Sequence, residues 1–96
     1  MEVVGTFGKV IATITDPAKI AEATAFIEQR HDGWIDVWSG PRAPELYFEF
    51  YQGQRHLGGF GIAEKYLVAG SLSRDTPADD ITTFARHLNL RWPAVQ

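Results

Sequence analysis

Ninety-six residues, 45% hydrophobic and 22% charged with a formal net charge of −3, describe one folded domain rather than a disordered chain. The mild acidity and the lack of any basic run exclude sequence-independent nucleic-acid binding, which depends on clustered Lys and Arg. The absence of cysteine excludes a disulfide framework, a thiolate metal site and a cysteine nucleophile.

Val3 to Ile14 reads as one long strand. Its two parities, Val4, Thr6, Gly8, Val10, Ala12 and Ile14 against Val3, Gly5, Phe7, Lys9, Ile11 and Thr13, are both partly apolar, which predicts a strand inside the sheet and covered on both faces. No apolar run approaches the length of a membrane span, and Glu2 stands where a secretory leader carries positive charge. A cytoplasmic chain with no membrane contact is expected.

Asp16-Pro17 starts a helix, with Asp as N-cap and Pro at the first helical position. Ile20, Ala23, Phe26 and Ile27 give it an apolar stripe over residues 17–31, and Gly33 supplies the left-handed terminator. Trp34 to Trp38 reads as a short strand whose Ile35 and Val37 turn toward the helices, leaving Trp34 and Trp38 on the other face. Residues 39–44, with Gly40, Pro41 and Pro44, form a rigid loop.

The chain is organised around Glu45 to Leu72. Leu46 to Tyr51 is a continuous aromatic and aliphatic strand, and Gly53 is the only glycine before His56, so the turn lies at residues 52–55. Gln52-Gly53 as a type I′ turn competes with Gly53-Gln54 as type II′. The second is preferred because it sets Phe50 opposite Leu57 and Phe48 opposite Gly59; a three-residue loop with a bulge is the remaining possibility. One face then carries Leu46, Phe48, Phe50, Leu57, Gly59 and Gly61 and takes the helices. The other carries Tyr47, Glu49, Tyr51, His56, Gly58, Phe60 and Ile62. Residues 63–65 turn into a last strand, Tyr66 to Leu72, followed by a polar connector through Thr76.

Thr76-Pro77-Ala78-Asp79 repeats the capping pattern, and Ile81, Phe84, Ala85 and Leu88 make a second amphipathic helix with Asp79 and Asp80 at its start and Arg86 and His87 near its end. Leu90 and Trp92 are costly to leave in water, so the tail folds back. The expected architecture is α+β: one mostly antiparallel sheet of about five strands, in the order β-α-β-β-β-β-α, with two helices packed on one face.

The candidate chemistry is sparse. Tyr51 lies opposite His56 with Glu49 as the diagonal neighbour, which offers either a general acid–base cluster or a hydrogen-bonded surface network; the network is favoured. His31, Asp32 and Asp36 match no ligand spacing, so no metal is expected, and helix-end chemistry accounts for the first two. The glycines of Leu57 to Gly61 fall inside a strand, where they cannot cradle a phosphate ahead of a helix. Ser71, Ser73, Arg74 and Asp75 lack a nucleophile frame and read as turn formers. No cofactor motif is present.

The aromatic residues carry the functional expectation. Trp34, Trp38, Tyr47, Tyr51 and Phe60, with Glu49 and His56, are placed on the uncovered sheet face, where Lys, Thr and Glu are usual. Tyr and Trp are enriched where proteins bind one another. A non-enzymatic interaction domain is expected, inhibitor-like or immunity-like, forming a homodimer or binding another protein, unless the tail covers this face. The alternative is a small-molecule-binding protein or small enzyme using Glu49, Tyr51 and His56, with its pocket beside residues 39–44.

Overall fold

The computed structural model describes residues 1–5, 8–36 and 43–92. Among them are β1 (Glu2–Val4), β2 (Val10–Thr13), α1 (Pro17–Glu28), β3 (Ile35–Asp36), β4 (Leu46–Gln52), β5 (Arg55–Ile62), β6 (Tyr66–Ala69), β7 (Leu72–Asp75) and α2 (Ala78–His87). All the strands join one antiparallel sheet in the order β2-β1-β4-β5-β6-β7-β3. The α+β class and the two helices agree with the sequence. The strand number does not: the described residues form seven strands, not about five.

Both extra strands come from turns inside segments that read as single strands. The N-terminal segment folds back on itself, with Gly5 N–H donating to the Lys9 carbonyl at 2.7 Å and Gly8 held at φ +74°. It therefore forms the β1–β2 hairpin, with β1 inside the sheet and β2 at its edge, rather than one strand buried on both faces. The last strand breaks at Gly70 (φ +61°), so that Ala69 pairs with Leu72 across a two-residue turn. Positive φ at the first turn residue only is the type II′ pattern, whose twist suits a hairpin. Ser73, Arg74 and Asp75, expected as connector residues, belong to β7.

The central hairpin turns at Gly53-Gln54 as expected, with Gln52 opposite Arg55, Tyr51 opposite His56 and Gly53 at φ +63°. Beyond that point Phe50 meets Gly58 instead of Leu57, and Phe48 meets Phe60 instead of Gly59. An extra residue in β5 at Leu57 makes a β-bulge, with Gly58 at φ +130°. Because side chains alternate along a strand, the one-residue shift moves Phe60 and Ile62 to the helix-covered face and Gly59 and Gly61 to the other.

The core confirms that sorting. Val3, Leu46, Phe48, Phe60, Ile62 and Leu67 from the sheet pack with Ala23 and Phe26 of α1 and Ile81, Phe84 and Ala85 of α2. Phe26 stacks on Phe84 at 4.1 Å between ring centroids, and Phe48 stacks on Phe60 at 5.1 Å. Such pairs add roughly 0.5–1.5 kcal/mol each beyond their burial.

Helix α1 starts as the sequence implies, with the Ala18 N–H donating to Asp16 Oδ1 at 3.0 Å and Pro17 in its first turn. It ends earlier, at Glu28, so Gly33 (φ +79°) lies in the loop beyond it and packs against Arg74. Helix α2 lacks a side-chain cap: Pro77 is its N-cap, and the Thr76 hydroxyl donates instead to the Arg74 carbonyl at 3.2 Å. Its C-terminus is closed by Asn89 at φ +59°, with Leu90 N–H donating to Ala85 O at 3.0 Å and Asn89 N–H to Arg86 O at 2.9 Å. These two bonds form a Schellman motif. The chain then brings Trp92 into the helix-side core, where it is 8% exposed.

Candidate functional site

On the face away from the helices, two halves differ. Across β5, β6 and β7, Gly61, Ala63, Val68 and Ser73 are buried although no helix covers them. The chain entering β4 supplies part of the cover, since Pro44 packs on Gly61 and the Ala43 carbonyl accepts from the Tyr66 hydroxyl at 2.9 Å. Tyr47 leans over the same strand: a Cβ on Gly59 or on Gly61 would stand 3.1 Å from its ring. The bulge-shifted glycines thus make room for Tyr47 and Pro44, not for Leu46 and Phe48.

The other half, over β2, β1, β4 and the start of β5, is open. Tyr51 is 41% exposed, Val10 45% and Ile11 50%. A second bulge brings the last two together, since Val3 pairs with Ala12 but Val4 pairs with Val10, leaving Ile11 extra. Glu2 lies between Thr13 on one side and Glu49 on the other. His56 Nε2 contacts Glu49 Oε2, and the Tyr51 and His56 rings are 5.2 Å apart. The Tyr51 phenol is pushed above its ordinary range by loss of solvent and then by the nearby Glu2 carboxylate; Glu49 adds to the effect.

Of the residues predicted for the site, Tyr47, Glu49, Tyr51 and His56 are brought together. Phe60 is not: it is 2% exposed in the helix-side core, because the bulge reverses its face. Trp34 also lies on the helix side, packed against the core with its Nε1–H donating to the Arg30 carbonyl at 2.6 Å. Its neighbour Ile35 pairs with Ser73 and is 54% exposed, the reverse of the predicted orientation. Trp38 and residues 39–42 of the proline-rich loop lie outside the described residues. Among the described residues, Tyr47 and Tyr51 are therefore the aromatic side chains of the expected patch that stay on the face away from the helices.

Glu2, Val10 and Ile11 were missed in the sequence because they join the sheet beside β4 only when the N-terminal segment folds into a hairpin. The usable signal was Gly8 followed by a second apolar run.

A cleft of about 530 Å³ beside Tyr51 is lined by Met1, Glu2, Thr13, Gly53 and Gln54. His56 and Glu49 do not line it, so the acid–imidazole contact sits on an exposed surface rather than in an enclosed pocket. Among the described residues no three His, Asp or Glu side chains are grouped to hold a metal ion, and no helix is long and apolar enough to cross a membrane. No protein-family model, curated protein or solved structure matches this chain.

Proposed function

We propose that this chain is a non-enzymatic interaction domain that binds a protein through the open half of its sheet. The observation that carries this is the contrast between the two halves of one face. Where Pro44 and Tyr66 contribute cover, even Val68 is only 4% exposed; where β2, β1 and β4 meet, Tyr51, Val10 and Ile11 stand in solvent. Apolar side chains exposed together beside polar ones are a usual mark of a protein-binding patch.

Sedimentation equilibrium of the wild type and of Tyr51→Lys, with circular dichroism to confirm folding, tests self-association. A wild-type dimer that becomes a folded monomer places the interface on this face. Equal association in both moves it elsewhere, and a monomer in both points to a different protein as partner.

A second reading rests on the His56–Glu49 contact and the adjoining cleft, which together could serve a small ligand or acid–base chemistry. The openness of the pair to water favours the binding surface. On this reading the chain acts in the cytoplasm.

A further inference from the structure

The charge on the open half-face selects a partner. Glu2 and Glu49 stand directly opposite each other on β1 and β4, an arrangement of like charges that costs stability. Among the described residues no Lys or Arg forms an ion pair with either carboxylate: the basic side chains that do pair, Arg30 and Arg74, take Asp80 and Asp32. The neighbours of the two carboxylates are Tyr51, which lines one cleft with Glu2, and His56, against Glu49.

Around this pair lies an aromatic ring 41% exposed and an aliphatic rim at Val10 and Ile11. An exposed aromatic face attracts an ammonium or guanidinium group, and carboxylates accept its N–H bonds. Aliphatic side chains beside them cover the apolar stem of a Lys or Arg. A second copy of this chain offers the wrong complement, because a two-fold contact centred here would set Glu2 and Glu49 against the same pair. The groove on the helix side carries no such selection. The groove between α1 and α2 is already spanned by Arg30–Asp80 at 3.5 Å and His87–Glu22 at 3.9 Å.

Resting on the reading of this face as a protein-binding surface, the geometry points to a partner that presents Lys or Arg side chains from a basic strand or loop, seated between Tyr51 and the Glu2–Glu49 pair. A binding partner that is basic is also drawn in by the chain's net charge of −3.

Isothermal titration with an oligolysine peptide, against a serine–glycine peptide of equal length, tests this. The wild type is expected to bind oligolysine saturably. Glu2→Gln/Glu49→Gln weakens that binding about ten-fold, and Tyr51→Ala does so by a similar factor. Glu64→Gln/Asp79→Asn removes the same charge from exposed sites elsewhere and leaves affinity within about two-fold. Circular dichroism checks that every variant is folded.

Equal weakening by both double variants would overturn the proposal, since the peptide would then be reading net charge alone. Failure of the peptide to bind, with Tyr51→Lys still dissolving a wild-type dimer, would overturn the basic partner and leave the binding face standing. Failure of the peptide to bind, with a wild-type dimer that Tyr51→Lys leaves intact, would overturn both.

Discussion

Glu2 and Glu49 are cross-strand partners, and each carboxylate has a different neighbour: Tyr51 lines one cleft with Glu2, and the His56 imidazole meets Glu49. Directly opposed like charges destabilise an antiparallel pair. Glu2→Gln keeps the side chain's shape and removes the repulsion, so it should raise unfolding stability by about 0.2–1 kcal/mol. Urea denaturation at neutral pH measures this. A loss of stability would mean that the Glu2 charge is favourable where it stands, and the strain assigned to the face would be absent.

The raised Tyr51 pKa has a defined consequence at high pH. A phenol whose folded-state pKa lies above its ordinary value of about 10 stabilises the fold in its protonated form. That contribution is complete below the ordinary value and is lost as pH rises through the folded one. The stability difference between wild type and Tyr51→Phe should therefore be constant through neutral pH and shift against the wild type above about pH 10. Thermal unfolding of both proteins across that range measures it; parallel curves would contradict the Glu2 and Glu49 contribution.

Gly59 is fixed by its neighbours. A Cβ there would overlap the Phe48 carbonyl oxygen of the adjoining strand and stand 3.1 Å from the Tyr47 ring. Since the carbonyl is backbone, no side-chain rotation relieves the overlap, and Gly59→Ala should cost about 1–3 kcal/mol. Gly53→Ala meets no atom but must adopt φ +63°, so its cost is conformational alone. Paired denaturation curves distinguish the two; a neutral Gly59→Ala would contradict the close approach of β4 and β5.

The helix layer is held to the sheet by aromatic packing. Phe84 stacks on Phe26 at 4.1 Å and meets Phe48 edge-on at 5.4 Å, while being 6% exposed. Phe84→Ala should cost about 3–5 kcal/mol, a large share of what a domain of this size possesses. Chemical denaturation of the variant reads the loss.

The parts legible in the sequence are those set by local chemistry. Asp16-Pro17 caps a helix by its own side chain, and Gly53 identifies its turn without reference to the rest of the fold. Tyr51, His56 and Glu49 follow from that turn because they lie within the first pairs beside it, ahead of the bulge. What was lost is what a single inserted residue changes. Leu57 and Ile11 look like ordinary strand residues, yet each shifts its ladder by one and exchanges the faces beyond it. Phe60 moved from the expected surface to the core for that reason alone. Gly8 and Gly70 sit within apolar runs that read as continuous strands, so the turns they make, and the two extra strands, were not apparent. The orientation of Trp34 depended on pairing between β3 and β7, a contact between residues 35 and 73 that no local pattern carries.

The central claim is that the open half of the sheet is the working surface. Amide chemical-shift mapping of the wild type during titration with the oligolysine peptide tests it most directly. The expected result is perturbation centred on Glu2, Val10, Ile11, Glu49 and Tyr51, with the α1–α2 surface unchanged. Perturbation centred instead on Glu22, Asp79 and Asp80 of the helices, with β1 and β4 silent, would contradict it.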